Sequence, residues 1–462
     1  MTRIPLFLLL ALVWLGFPAN AHVDDPKEQD RTPPYQGPGF RNGAFLGSGI
    51  VFPANGITLL SWLPLDEIAP DLANANDCWG YVSPSGREYA IIGTNRGTGF
   101  VEITNPLCPN LLSFIEGPIR LWRDIKVFDV YAYAVSEGGG GIQVFDLSKI
   151  DNGNVALVNT VDDQGTANSH NVAIDTTSGF LYRCGGGDNG LRIYSLANPA
   201  NPAYVGMWMD RYVHDAQIHT FTTGPNAGKQ IAFACAGFNG GSVNTGLSIV
   251  DVTDKNNITV LAHYEYPNGS YSHQGWLSQD GNYFYLNDEL DERNSSLPTT
   301  THILDVSNLS APVEIGTFTS GSSAIDHNLY VRGNMIYQAN YRSGIRIFDA
   351  TNPEAPVEQA YFDTYPENDD PFFSGLWSSF PYFPSNHFIG SDIQKGLFVW
   401  GLNGNLNLPL DLNGDLKIDQ TDLNLCISDW QQCGKSCSSD VNLDGSVDIL
   451  DMNALVNAIN CQ

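Results

Sequence analysis

The sequence predicts an all-β, seven-bladed β-propeller closed by an N-terminal strand, followed by a small α-helical module built on two acidic loops. Three observations carry that reading. A strand motif recurs seven times at blade-sized intervals, a second strand motif recurs between its copies, and an acidic loop is duplicated near the C terminus.

The first motif reads DCWGYV at 77–82, RDIKVF at 123–128, SHNVAI at 169–174, VHDAQI at 213–218, SHQGWL at 272–277, DHNLYV at 326–331 and SGLWSS at 374–379. Its second residue recurs at intervals of 46, 46, 44, 59, 54 and 48. Such a period suits blades of four strands, and no stretch between the copies carries helical periodicity. The second motif reads GFVEIT at 99–104, GIQVFD at 141–146, GLRIYS at 190–195, GLSIVD at 246–251, THILDV at 301–306, GIRIFD at 344–349 and GLFVWG at 396–401. Each copy is a compact apolar and β-branched run, usually ending in turn chemistry. Asn-Pro pairs at 105–106, 198–199 and 352–353 mark the turn into a fourth strand, visible as LLSFIEG, AYVGMWMD, TVLAHYEY, VEIGTFTS and VEQAYFDT. The last copy lacks a fourth strand downstream, whereas ITLLSWLPL at 57–65 stands spare before the first blade. That strand is expected to complete the last blade and remove an exposed sheet edge.

The chain divides further. Arg3, the apolar run Leu6 to Leu15 and the small-residue pattern Ala19-Asn20-Ala21 read as a secretory signal peptide over 1–21. An extension at 22–45 precedes the propeller at 46–402, and an Asn/Gly/Leu/Pro linker at 403–410 leads to a module at 411–462. The product is expected to be secreted, extracellular or cell-surface attached, with no transmembrane segment after signal cleavage. Fifty acidic residues against 22 basic ones give a net charge of −28, which argues against a nucleic-acid partner, since phosphate binding needs a basic surface. Four of the eight cysteines, Cys78, Cys108, Cys184 and Cys235, are scattered and either pair or stay buried as thiols. The other four, Cys426, Cys433, Cys437 and Cys461, crowd the C-terminal module and are expected to form two disulfides, with three connectivities open.

The blocks NDCWGYVSPSGREYAIIG at 76–93, SHQGWL with LNDELDE at 286–292, and DHNLYV with QANYRSGIRIFD at 338–349 resemble the LVIVD-repeat, choice-of-anchor B family. The resemblance covers roughly residues 40–402. It implies a secreted β-propeller whose members differ in their C-terminal attachment device, and it implies no established reaction.

The C-terminal segment DLNGDLKIDQTD at 411–422 puts oxygen-bearing side chains at loop positions 1, 3, 5, 9 and 12: Asp411, Asn413, Asp415, Asp419 and Asp422. Lys417 would add its backbone carbonyl. The second copy, DVNLDGSVDILD at 440–451, offers Asp440, Asn442, Asp444, Asp448 and Asp451, with the carbonyl of Ser446. A hard cation takes about six to eight oxygens, so two calcium ions are expected in two EF-hand-like loops. Each loop leads into a helix-compatible segment, DLNLCISDW and DMNALVNAI. This duplicated loop–helix plan resembles a type I dockerin, which implies a cohesin-like or other surface-anchoring protein as partner. Two departures qualify the resemblance. Leu416 stands at loop position 6, where the sharp turn wants Gly, so the first site is expected to bind more weakly than the second, which has Gly445. At the positions dockerins use for recognition stand Gln420-Thr421 and Ile449-Leu450 rather than the usual Ser/Thr pair, which argues against an ordinary cohesin.

Four of the nine histidines hold one repeat position: His170, His214, His273 and His327. With first strands lining the channel, these imidazoles should converge on one mouth. The loop at 287–296 carries Asp288, Glu289, Asp291 and Glu292 to the same place, and Asp215 and Asp326 flank two histidines. The candidate ligand or metal site is therefore His170, His214, Asp215, His273, Asp288, Asp291, Asp326 and His327. Neutral imidazole suits Zn, Cu, Fe or Ni. Repeats also copy a residue into each blade simply to tie a loop to a strand. No Gly-x-Ser-x-Gly elbow occurs and no pair of carboxylates can be singled out, so no catalytic residue is assigned. The resulting expectation is a secreted binding or display protein whose propeller recognises an extracellular ligand and whose calcium module anchors it. The alternative is an extracellular metal-dependent or polysaccharide-active enzyme working at the histidine-lined mouth.

Overall fold

Seven antiparallel sheets of at least four strands each form the body of the molecule. The structure is a computed structural model describing residues 26–45, 49–164, 167–186, 190–237, 245–406, 408–430, 438–441 and 446–459. The signal segment 1–21, Asn442, Asp444, Cys433, Cys437 and Cys461 lie outside the described residues.

The innermost strands are Ala75–Val82, Arg123–Phe128, Asn171–Asp175, Asp215–Thr220, Ser272–Leu277, Leu329–Arg332 and Leu376–Phe380. Each packs against the innermost strand of the next blade, and that of blade seven packs against that of blade one. The ring is a seven-bladed propeller.

The second sequence motif forms the third strand of each blade, because its apolar and β-branched side chains fit a sheet covered on both faces. Between the third and fourth strands a register shift recurs in every blade, as between Ile249 and Val250 or between Ile303 and Leu304. One extra residue at that point bends each sheet in the same way. In the last blade the strand facing Gly396–Leu402 is Ile57–Leu63, paired Leu397 to Leu63 and Leu402 to Ile57, with the shift between Val399 and Trp400. Gly396 enters that pairing at φ +86°, where a Cβ would lie 2.4 Å from the carbonyl oxygen of Leu63, so no other residue fits there without a shift.

The Asn-Pro turns prove to be latches between blades. The hydroxyl of Tyr133 donates to the carbonyl of Pro199 at 2.8 Å, that of Tyr285 to Pro353 at 3.2 Å, and that of Ser61 to Pro106 at 2.7 Å. In each case a side chain of one blade satisfies a turn of the next.

The C-terminal helices, Gln420–Ser428 and Ile449–Ile459, do not hang on a tether. Ile418, Cys426, Val447, Leu455 and Ala458 share one apolar cluster with Leu63, Ile103, Leu107 and Val399 of the propeller, and Leu406, Leu408 and Leu410 of the linker pack against it. Asn42 stitches the two parts: its backbone N–H donates to Leu107, its side-chain amide to the carbonyl of Ile418, and its amide oxygen accepts from the N–H of Ile418. Cys426 is a free, buried thiol, so the four C-terminal cysteines do not form the two disulfides expected from their density. Its helix packs that sulfur into the shared core, where a small hydrophobe suffices. Cys78, Cys184 and Cys235 are buried free thiols as well.

Candidate functional site

The four repeat histidines stand at the starts of four consecutive innermost strands. Their rings form a continuous arc, with centroids 4.1 Å apart from His170 to His214, 4.4 Å from His214 to His273 and 4.1 Å from His273 to His327. All four are buried, His214, His273 and His327 at 1 % exposure. The common repeat position thus becomes a common level in space.

Second partners fix the rings. Nδ1 of His214 donates to the carbonyl of His273 at 3.1 Å, and Nδ1 of His327 donates to the carbonyl of Trp377. A carbonyl oxygen can only accept, so both rings carry their proton on Nδ1 and leave Nε2 with its lone pair. Nδ1 of His170 lies 2.6 Å from Glu137 Oε1. In His214 and His327 one ring nitrogen is held while Nε2 keeps its lone pair, the arrangement used by metal-ligating histidines.

Glu289 completes the group. Its Oε1 lies 3.2 Å from His327 Nε2 and 3.9 Å from His273 Nε2, and it accepts from the Tyr341 hydroxyl at 2.8 Å. Ligand atoms of His214, His273 and Glu289 all fall within 4.8 Å of one another. The Nζ of Lys27, from the short helix Pro26–Gln29, sits 2.5 Å from the same Glu289 oxygen. It also lies 4.9 Å from the centre of the Trp377 ring.

Burial, the neighbouring His170 and His273 rings and the Lys27 ammonium hold His214 well below the ordinary imidazole range. Burial, His327 and Lys27 do the same to His273. Burial alone would raise the Glu289 carboxyl, but the Lys27 ammonium pulls it below the usual carboxylate range. Neutral imidazoles beside an ionised carboxylate are the protonation states a metal requires.

The remaining sequence candidates separate from this cluster. Asp288 is a structural brace: its carboxylate accepts from the Tyr266 hydroxyl and from the N–H groups of Ser270, Tyr271 and Leu290. Asp291 and Asp326 meet Glu292 in a buried acidic group beside the histidines. Burial and the nearby Asp288 raise Asp291 to about 7, and burial and Asp291 raise Asp326 well above its ordinary value. Asp215 does not join the imidazoles, because the alternation of the strand turns it away from the residue before it. It lies further along the innermost strands, in a pocket of about 250 Å³ with Trp79, Lys126, Trp276 and Tyr330.

Burial raises Asp215 to about 7, opposed by Lys126, which Asp77 and Asp124 already engage at 3.0 and 2.6 Å. A folded value above the unfolded one, about 3.9, favours folding below that value and loses the advantage as pH rises through about 7. Asp215→Asn is therefore expected to gain stability relative to wild type as pH is raised from 4 to 8 in urea titrations. An unchanged difference across that range would contradict the burial argument.

In the C-terminal module the two loops repeat one hydrogen-bond pattern. Asp422 accepts from the N–H groups of Leu412 and Asp419, both at 2.8 Å, and Asp451 accepts from Val441 at 2.9 Å and Asp448 at 2.8 Å. Asp419 caps its helix through the N–H of Thr421, and Asp448 does the same through Leu450. Asp411 accepts from Gly414, Asp415 and Leu416, curling the first loop around its own carboxylate. Asn413 donates to Asp415 at 3.2 Å. Leu416 sits at φ +66°, the left-handed conformation a glycine would adopt there without strain. Lys417 is exposed beside it, and Asp440 and Ser446 border the second loop.

Comparison with known proteins gives one family match. Residues 299–320 match the LVIVD repeat. The matched segment holds the third and fourth strands of the fifth blade, Thr301–Asp305 and Val313–Phe318, directly after the Glu289 loop. No curated protein matches the chain. Among the described residues no helix is long and apolar enough to cross a membrane.

Sequence reasoning placed Glu289 on the right loop without selecting it, and it missed Lys27, Tyr341 and Trp377. Lys27 lies in the extension and Tyr341 between strands, outside the repeat that carries positional information, whereas Trp377 lies within the seventh copy of the first motif at a position where no other copy has a tryptophan.

Proposed function

We propose that the propeller is a ligand-binding module whose site is the buried histidine–Glu289 cluster, and that the cluster holds a divalent transition metal ion. The carrying observation is the approach of His214, His273 and Glu289 ligand atoms within 4.8 Å of one another. Two imidazoles and a carboxylate suit Zn²⁺ or Fe²⁺, and His327 stands ready as a further nitrogen donor. The excess of acidic residues would concentrate cations around the molecule. In calcium-saturated buffer, equilibrium dialysis against Zn²⁺ is expected to leave one equivalent on the wild-type protein and none on the His214→Asn/His273→Asn double variant. Equal retention by the two proteins would refute the site.

The C-terminal module is proposed to bind two calcium ions and, in the manner of a dockerin, to attach the exported chain to a surface-anchoring partner. Support comes from the duplicated carboxylate pattern and from the buried Asp422 and Asp451 at position 12 of each loop. The N-terminal strand is proposed to hold the ring shut as the fourth strand of the last blade. A non-glycine residue in the left-handed region costs about 1–2 kcal/mol. Leu416→Gly should therefore raise calcium affinity at the first loop by about tenfold in calorimetric titration, and Asp440→Ala should weaken binding more than Asp411→Ala. A Leu416→Gly protein with unchanged or weaker binding would show that the loop is not strained as an ion-binding turn.

A further inference from the structure

The N-terminal extension crosses the histidine end of the channel as a strap. Its helix Pro26–Gln29 delivers Lys27 into the site, 3 % exposed, and its next residues are pinned to the rim. Glu28 lies 3.3 Å from Arg120, Asp30 pairs with Arg293, Thr32 meets the Ser374 hydroxyl at 2.9 Å, and the N–H of Tyr35 donates to Gln394. Between strap and propeller lies a cavity of about 280 Å³, lined by Lys27, Thr32, Asn74, Leu121, Phe373 and Trp377.

We propose that Lys27 is a tethered cation that closes the metal site: its ammonium occupies the Glu289 oxygen a metal ion would use, and the ion enters as the strap leaves. This rests on the metal reading of the cluster given above. A divalent ion and an ammonium cannot share one carboxylate oxygen in a low-dielectric interior, where like charges a few ångströms apart repel strongly. Glu289 cannot stand without a cation either, since a buried carboxylate lacking a counter-charge is strongly disfavoured. The two cations therefore exchange. The strap suits that exchange: apart from Lys27 its ion pairs are partly exposed and therefore weak, and only a short helix of the extension touches the site. The cavity beneath it gives the lysine side chain room to swing before the strap as a whole lifts.

The test is Co²⁺ titration of three full-length proteins in calcium-saturated buffer, followed by calorimetry and by the absorption of bound Co²⁺. Lys27→Met removes the competing charge at similar volume and should bind Co²⁺ at least tenfold more tightly than wild type. Lys27→Arg keeps the charge and should bind no more tightly than wild type. Wild-type protein digested with trypsin should lose the strap faster with Co²⁺ bound than without it. Equal Co²⁺ affinity in wild type and Lys27→Met, with the ion bound in both, would overturn the exchange while leaving the metal site standing. Failure of all three proteins to bind would remove the metal site and the exchange together.

Discussion

Replacing Trp62 with alanine is expected to lower the stability of the propeller by about 3–5 kcal/mol, the range for removing a fully buried aromatic ring. Trp62 lies on the strand Ile57–Leu63 and has no exposed surface. Its indole N–H donates to the carbonyl of Lys395 at 2.6 Å, and its ring stacks on Phe398 at 5.4 Å with 7° between planes. Phe52 meets it edge-on at 5.4 Å. The substitution therefore leaves a cavity and an unsatisfied carbonyl at the seam between Ile57–Leu63 and Gly396–Leu402. Deleting residues 22–66 removes the strand altogether and exposes the edge of Gly396–Leu402, so aggregation is expected. Val158→Ala, on an outer strand and 47 % exposed, is the matched control and should change stability by no more than about 0.5 kcal/mol. Urea titration followed by tryptophan fluorescence checks both. A Trp62→Ala protein as stable as the control would mean the strand is dispensable to the ring.

Glu289→Gln is expected to weaken transition-metal binding by about a hundredfold or more, since it removes a charged ligand rather than an outer-shell partner. The same change strips Lys27 of its counter-charge. A buried ammonium without a counter-charge is strongly disfavoured, and the strap offers it a way out to water. The propeller midpoint in urea should therefore hold, while residues 26–34 become rapidly cleaved by protease. Unchanged metal affinity, or a strap as protected as in wild type, would show that Glu289 is not the shared partner.

The seven blades were legible because each repeats the same two demands, a strand lining the channel and a strand covered on both faces, so period and apolar pattern agree. His170, His214, His273 and His327 inherit their common level from that period. Glu289 and Lys27 do not, because one lies on a connection whose length and sequence differ from blade to blade and the other in a segment with no repeat at all. Asp215 was misplaced through its neighbour: adjacency to His214 in sequence means opposite directions on a strand. Asp288 was misjudged because a carboxylate that satisfies several loop N–H groups looks the same in sequence as one that faces a ligand. The duplicated loops at the C terminus were legible from spacing alone, whereas the packing of Ile418, Cys426 and Leu455 onto Leu63 and Val399 was not, since a shared core leaves no periodic trace.

X-ray absorption at the zinc edge of calcium-saturated, zinc-loaded protein tests the central claim most directly. The expected spectrum is that of one zinc ion bound by imidazole nitrogens together with a carboxylate oxygen, altered in His214→Asn and in Glu289→Gln. An all-oxygen environment, or no zinc retained by the wild-type protein, would contradict the histidine–Glu289 cluster as a metal site.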